Sequence, residues 1–238
     1  MKKMIIVGAT SGIGKELAKL YSSNKYEIGI IGRRKELLNT LSSELPTRTY
    51  SLELDITHTH NTILEIEKLI QDMGGIDIII ICSGMGFLNN FLEWKKEKET
   101  IDTNVLGFAA VTNIAMRYFI KKGSGHLVGI SSIASIRGNH SAPAYNASKA
   151  FVSNYLEGLR TKARKSKLPI YVTDILPGFV DTAMAKGDNL FWVASPQKAV
   201  KQIFIAIKKK RRRAYITKRW FLIAWLMKLL PDFIYEKI

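Results

Sequence analysis

One cysteine in 238 residues, Cys82, has no second thiol to pair with. An internal disulfide is therefore excluded, and a reducing compartment suits the chain. Long apolar runs are missing too. The longest, Trp220 to Leu230, has eleven residues with Lys228 among them, whereas a helix needs about 20 to cross a bilayer. Acids are scarce: 20 Asp and Glu stand against 36 Lys and Arg, a formal net charge of +16. No repeat, low-complexity linker or second-domain boundary interrupts the chain, and its length suffices for the core of one α/β domain. Nor is a secretory leader expected. Met1-Lys2-Lys3 is charged, but the apolar run behind it is short and reads better as a first strand. No metal site is expected, and the setting expected is cytoplasmic.

What is present begins at that strand. Met4-Ile5-Ile6-Val7 runs directly into Gly8-Ala9-Thr10-Ser11-Gly12-Ile13-Gly14, and then Ile13, Leu17 and Leu20 fall on one helical face. Strand, glycine turn and helix open a dinucleotide-binding unit, with a pyrophosphate at the helix N-terminus. The glycines follow G-x-x-x-G-x-G. A phosphate loop of the G-x-x-x-x-G-K-[ST] kind is excluded, because Ile13 stands five residues after Gly8. Thr10 and Ser11 add hydroxyls suited to phosphate.

Further along, Asn104, Ser132, Tyr145 and Lys149 stand in the order a carbonyl-reducing site needs. Tyr145 and Lys149 are four apart, so on a helix they share a face. A free phenol has a pKa near 10, and a neighbouring ammonium is expected to lower it into the range useful for proton transfer. The pair alone is weak, since Tyr21 with Lys25 and Tyr118 with Lys122 have the same spacing. Context raises its weight: Ser132 ends the apolar run His126 to Ser131, where its hydroxyl can hold a substrate oxygen.

Taken together, these residues resemble the short-chain dehydrogenase/reductase family from Lys3 to about Ile207. The landmarks are Gly8/Gly12/Gly14, Leu54-Asp55-Ile56-Thr57, Thr103-Asn104-Val105-Leu106-Gly107, Ile130-Ser131-Ser132, Tyr145-Asn146-Ala147-Ser148-Lys149 and Pro177-Gly178-Phe179-Val180-Asp181-Thr182. The resemblance implies that Asp55 contacts the adenine amino group, with Ile56, Ser83 and Gly84 on the adenosine side. It implies that Asn104 holds a water in a proton relay, Ser132 orients the carbonyl and Tyr145 donates the proton. Lys149 binds the nicotinamide ribose, while Pro177, Gly178, Val180 and Thr182 serve the carboxamide side. The chain departs from the family at Val7, at Ile81-Cys82-Ser83-Gly84 and at Ser11. Gly32 occupies the place where NAD-dependent relatives carry Asp, and Arg33 and Arg34 follow it. Arginine there favours a 2′-phosphate, so NADP(H) is expected over NAD(H).

The alternation of apolar runs (Thr47–Leu54, Ile76–Cys82, His126–Ser131, Pro169–Leu176) with helical patterns near 59–72, 103–122, 146–166 and 196–208 predicts a Rossmann-type doubly wound parallel sheet in a single domain. Residues 1–217 form the catalytic unit and 218–238 a helical tail. Met85, Phe87, Ile133, Phe179, Leu190, Phe191 and Trp192 fall on loops after strand ends, which points to a hydrophobic ketone, aldehyde or alcohol. His140 falls in the loop between Ser132 and Tyr145. Residues 183–194 read as a lid with Gly187 as hinge. A homodimer or homotetramer is expected. For the tail two readings stay open. It covers the cleft or an interface, or it lies on an anionic membrane surface with Trp220, Phe221 and Trp225 at headgroup level. Nucleic acid is not an expected partner, despite the basic run Lys208 to Arg213. A catalytically silent NADP(H) sensor, or a membrane-associated interaction protein, is the alternative in function; the complete set of four residues argues against it.

Overall fold

The computed structural model describes residues 1–182 and 191–236. Strands β1 (Lys3–Val7), β2 (Glu27–Gly32), β3 (Thr49–Glu53), β4 (Ile78–Ile81), β5 (Gly125–Ile130), β6 (Ile170–Pro177) and β7 (Arg213–Ile216) form one sheet in the order β3-β2-β1-β4-β5-β6-β7. Every neighbouring pair is parallel. Parallel strands need crossovers, and helices supply them on both faces: α1 (Gly12–Ser23), α2 (Lys35–Glu44), α3 (Thr59–Asp72), α4 (Trp94–Ile101), α5 (Phe108–Lys122), α6 (Pro143–Lys165) and α7 (Pro196–Lys208).

Because both faces are covered, the central strands are apolar throughout rather than alternating. In β4, Ile78 and Ile80 join the core beneath α1, α2 and α7, where Leu17, Leu38, Leu41 and Ile203 are buried. Ile79 and Ile81 face the opposite core, built by Ile66, Val111, Phe119 and Leu156 of α3, α5 and α6. The doubly wound single sheet expected from the sequence is the fold observed. Between β1 and β4 the strand order reverses, and there the strand C-termini open a crevice in which open α/β sheets bind ligands.

The expected strands shift by one or two residues at their ends, and two helix starts differ from expectation. The helix expected from 103 starts as a π-helical turn, Asp102–Gly107, before the regular α5. The helix expected from 146 begins at Pro143, whose fixed φ and missing N–H suit a first turn.

After β7 the chain forms α8 (Trp220–Leu229) and α9 (Asp232–Tyr235). The tail folds back on the domain. Trp220 and Ala224 are buried with Ile133, beside partly buried Phe179 and Ile223. Arg137 donates to the carbonyls of Met227 (3.1 Å) and Leu230 and pairs with Asp232 at 2.6 Å, while the Tyr235 hydroxyl donates to the Gly138 carbonyl. Trp220, read in one account as a headgroup residue, is instead buried, because its indole fills the space above Gly178. A Cβ on Gly178 would stand 2.0 Å from Trp220 Nε1. Gly178→Ala is therefore expected to displace the indole and destabilise the fold by about 1–3 kcal/mol. A thermal melt unchanged from wild type would show that Trp220 is not held there.

Candidate active site

Three glycines shape the first wall of the crevice. Gly8 has φ +84, and a Cβ on it would lie 2.5 Å from the Ser83 amide nitrogen, so β1 and the end of β4 approach only without a side chain. A Cβ on Gly14 would lie 2.1 Å from the Gly8 carbonyl oxygen, which lets α1 sit directly on the turn. Gly12, at φ +54, faces Thr182, whose methyl would stand 3.3 Å from a Cβ there. The glycine turn and the loop after β6 thus form opposite lips of one cleft. Ser11 precedes α1 without capping it through its side chain, and the first turn holds no acid. Its N–H groups are available to an anion. Ile13 packs inward against the core.

The end of β2 carries the charge. Arg34 donates to Thr10 Oγ1 at 2.7 Å and to Ser11 Oγ at 2.9 Å. Arg33 lies 3.6 Å from Asp55. Burial pushes the Asp55 carboxyl up, but bonds from Thr57 and the Arg33 charge outweigh it, so the group titrates below its ordinary value. A Cβ on Gly32 would come within 2.6 Å of the Thr10 methyl. An aspartate could not stand there unless Thr10 moved.

The second wall holds the four polar residues. Within the π-helical turn, Asn104 points inward: its Oδ1 accepts from the Met85 amide at 2.9 Å, and its Nδ2 donates to the Met85 carbonyl at 2.7 Å and to Ser148 Oγ at 2.9 Å. Wide turns of this kind re-aim side chains. A Cβ on Gly84 would be 3.0 Å from Lys149 Nζ and 3.3 Å from Asn104 Oδ1, so the two groups flank that glycine. Lys149 Nζ donates to the Ile130 carbonyl at 3.1 Å and lies 5.7 Å from the centre of the Tyr145 ring. Ser132, at the end of β5, accepts from the Ala134 amide.

Burial sets the titration of this wall. It brings Lys149 down to about 8, and Tyr145 is moved the other way. Burial raises the phenol, and the Ser132 hydroxyl bonded to it opposes only part of the shift. The depressed phenol expected from the sequence is thus not the direction found. The lysine stands over the ring and bonds a carbonyl, and desolvation outweighs the one opposing influence, the Ser132 bond. Burial likewise raises the Cys82 thiol to about 12, which leaves it inert.

The crevice thus gathers Gly8, Thr10, Ser11, Gly12, Gly14, Arg33, Arg34 and Asp55 on one side. It gathers Ser83, Gly84, Asn104, Ser132, Tyr145 and Lys149 on the other. Ile56 is buried under Gly107. Pro177 ends β6, and Val180 is bridged to Ala194. Phe179, Phe191, Trp192 and Trp220 form one aromatic cluster with neighbouring ring centres 5.2–6.0 Å apart. Leu190, Gly187 and the lid segment 183–190 lie outside the described residues. His140 is exposed, on a cavity of about 510 Å³ bordered by Arg137 and Asn146.

Three features escaped the sequence reading. Gly86 lies flat on the Tyr145 ring, where a Cβ would be 2.4 Å from Cδ2. Trp220 closes over Gly178. Asp174, wholly buried, accepts from Ser131 at 2.5 Å and Ser153 at 2.9 Å, tying β5 and α6 together below the site. An acid inside the apolar run of β6 was the available signal for the last. The dinucleotide fits what is present: the glycine cradle is one that side chains would fill, and the Ser83 hydroxyl is buried there with no partner among the described residues.

A family model described as short chain dehydrogenase matches residues 2–190. An uncharacterised oxidoreductase of Myxococcus xanthus is 35% identical over 190 residues, which cover 78% of this chain and 74% of that protein. One from Mycobacterium tuberculosis is 32% identical over 241 residues, covering 97% and 94%. A short-chain dehydrogenase from Sphingobium yanoikuyae, solved in complex with NADPH, has a TM-score of 0.82 at 23% identity, covers 98% and 97% of the two chains, and shares the fold.

Proposed function

Since this chain belongs to the short-chain dehydrogenase family of oxidoreductases, we propose that it is an NADPH-dependent reductase of a hydrophobic ketone or aldehyde, also able to run the reverse alcohol oxidation. The observation that carries this reading is the convergence of Ser132, Tyr145, Lys149 and Asn104 beside the glycine cradle. In it Lys149 Nζ and Asn104 Oδ1 would stand 3.0 and 3.3 Å from a Cβ on Gly84. Residues 1–217 are the catalytic unit and 218–238 an appended cover.

The cofactor, when bound, supplies a hydride to the carbonyl carbon. The chain does the rest. Ser132 and Tyr145 hydroxyls hold the carbonyl oxygen, and Tyr145 Oη releases its proton to it as negative charge develops. A phenol raised by burial stays protonated at neutral pH, the state that reduction needs. Lys149 places a positive charge over the tyrosine ring and would hold the ribose. Asn104 anchors Met85 and, through a water, passes protons toward solvent. Gly8, Gly12, Ile13 and Gly14 would offer backbone to the pyrophosphate, and Arg33 and Arg34 would hold the 2′-phosphate. Asp55, Ile56, Ser83 and Gly84 line the adenosine side, and Pro177, Gly178, Val180 and Thr182 the carboxamide side. Met85, Phe87, Ile133 and Phe179 favour an apolar substrate.

A screen of NADPH oxidation with long-chain and cyclic ketones tests the reading. Turnover faster with NADPH than with NADH is expected. Tight NADPH binding with silence across the panel would favour a sensor instead. A homodimer or homotetramer is part of the proposal, supported by exposed Leu88, Phe91, Leu92 and Trp94 before and at the start of α4. Light scattering that finds only monomer would remove it.

The pH dependence follows from Lys149. Reduction is expected to hold through neutral pH and fall as pH rises through about 8, where the ammonium is lost. Stability moves oppositely. The unfolded lysine titrates at 10.5 and the folded one at about 8, so between these values the unfolded chain binds the extra proton and this group makes stability rise with pH. Lys149→Met should abolish both trends; a rate profile unchanged in that variant would exclude the lysine as their source.

A further inference from the structure

We propose that the edge of the molecule formed by β7, α7 and α8 docks on an anionic lipid surface, lying in the interface without crossing it. Helix α8 has two faces of different kinds. Trp220 and Ala224 are buried against the domain. On the other side Phe221, Leu222, Trp225, Leu226 and Leu229 are 53%, 65%, 58%, 51% and 59% exposed. These positions run i, i+1, i+4, i+5 and i+8, one continuous stripe along a helix. Phe233 and Ile234 of α9 extend it. Such a patch marks an interaction surface.

Beside the stripe lies a cavity of about 630 Å³ between α7 and β7. Lys198, Lys209, Arg211, Lys218 and Arg219 line it, and among the described residues no carboxylate does. Gln202 and Thr217, also in its lining, each bury a side-chain oxygen that has no hydrogen-bond partner among the described residues. Tyr215 joins the two features, its ring 5.5 Å from that of Phe221, and Lys218 and Arg219 lead straight into α8. Residues 196–238 carry twelve Lys and Arg against two acids, a net +10.

Charge decides the occupant. A second copy meeting this face across a two-fold axis would set one five-cation groove near the other, a repulsive contact. A soluble phosphate would leave the apolar stripe uncovered. An anionic bilayer takes both features, phosphates in the groove and side chains among the upper acyl chains. Among the described residues no helix is long and apolar enough to cross a membrane, so the helix lies along the surface. The inner face of α8 rests on Ile133 and Phe179, next to Ser132, so docking sets the apolar cleft beside the lipid. The inference stands on this edge alone and is independent of the cofactor reading.

The test is flotation of the full chain with vesicles of phosphatidylcholine, alone or mixed with phosphatidylglycerol. Flotation only with the mixed vesicles, reversed by salt, is expected. The Lys209→Ala/Arg211→Ala/Lys218→Ala variant should lose about a hundredfold in partitioning, at about fivefold per cation. The Trp225→Ser/Leu226→Ser variant should lose at least about tenfold. Circular dichroism and a thermal melt check that each remains folded. If either does not, salt release and quenching of wild-type tryptophan fluorescence by brominated acyl chains replace it, and quenching absent with bound vesicles overturns insertion. No flotation, equal flotation with phosphatidylcholine alone, full release by millimolar glycerol phosphate, or a double variant that splits a dimer and floats unchanged would each overturn the proposal.

Discussion

Tyr145→Phe is expected to lower kcat by about 10²–10⁴-fold while leaving NADPH affinity within about twofold, the size of effect that a positioned general acid supplies. The variant keeps the ring that packs on Gly86 and over which Lys149 Nζ lies 5.7 Å from the ring centre, and it removes only the oxygen. Packing is retained, so a melting temperature near wild type accompanies the loss. Lys149→Met loses turnover differently. It deletes a buried charge whose pKa has been brought down to about 8, so the protein should gain stability at neutral pH as activity falls. Stopped-flow measurement of NADPH binding with steady-state turnover separates the two effects. A Tyr145→Phe variant that turns over at the wild-type rate would remove the proton donor from the mechanism.

The second large effect concerns the nucleotide. Arg34→Ala should raise the KM for NADPH by about 10–100-fold, the worth of a charge-assisted bond to phosphate, with little change for NADH. Arg33→Ala should act in the same direction, and the double variant should erase the preference. The geometry makes Arg34 the sharper probe, because its guanidinium sits on Thr10 and Ser11 at the lip of the glycine turn. Arg33 instead faces Asp55 at 3.6 Å. Equal losses with both nucleotides would mean that Arg34 only braces the turn. Gly32→Asp tests the same wall from the other side. Its Cβ would meet the Thr10 methyl at 2.6 Å, so simple restoration of NADH use is not expected without a second change at Thr10.

Much of this was legible from the residues in order. Runs such as Ile78 to Ile81 announce a strand buried on both faces, because only helices on either side make four consecutive isoleucines favourable. The glycine turn was legible for the same kind of reason. Gly8 and Gly14 are needed where backbone touches backbone, and that need shows as a fixed spacing. The tyrosine–lysine pair was visible only in context, since its twins at Tyr21 and Tyr118 share the spacing, yet Tyr21 is buried in the apolar core and the Tyr118 hydroxyl accepts from the Ile76 amide.

Other things needed the third dimension. That Trp220 turns inward while Phe221 and Trp225 stay outside follows from where α8 crosses Gly178, a contact between residues 42 apart. The direction of the Tyr145 shift depends on how much water the fold excludes, which no spacing encodes. Asp174 shows as an oddity in an apolar strand, but its partners are Ser131 just after β5, Ser153 of α6 and Arg213 of β7.

The order of residues by itself determined the layered α/β architecture, the nucleotide turn and the four polar groups, because these depend on periodicity and on short-range backbone demands. Only the tertiary structure decided which arginine touches the turn, which way the phenol titrates, and which face of the last helix is left bare. Those outcomes are set by burial and by contacts between distant segments, and burial exists only once the chain has folded.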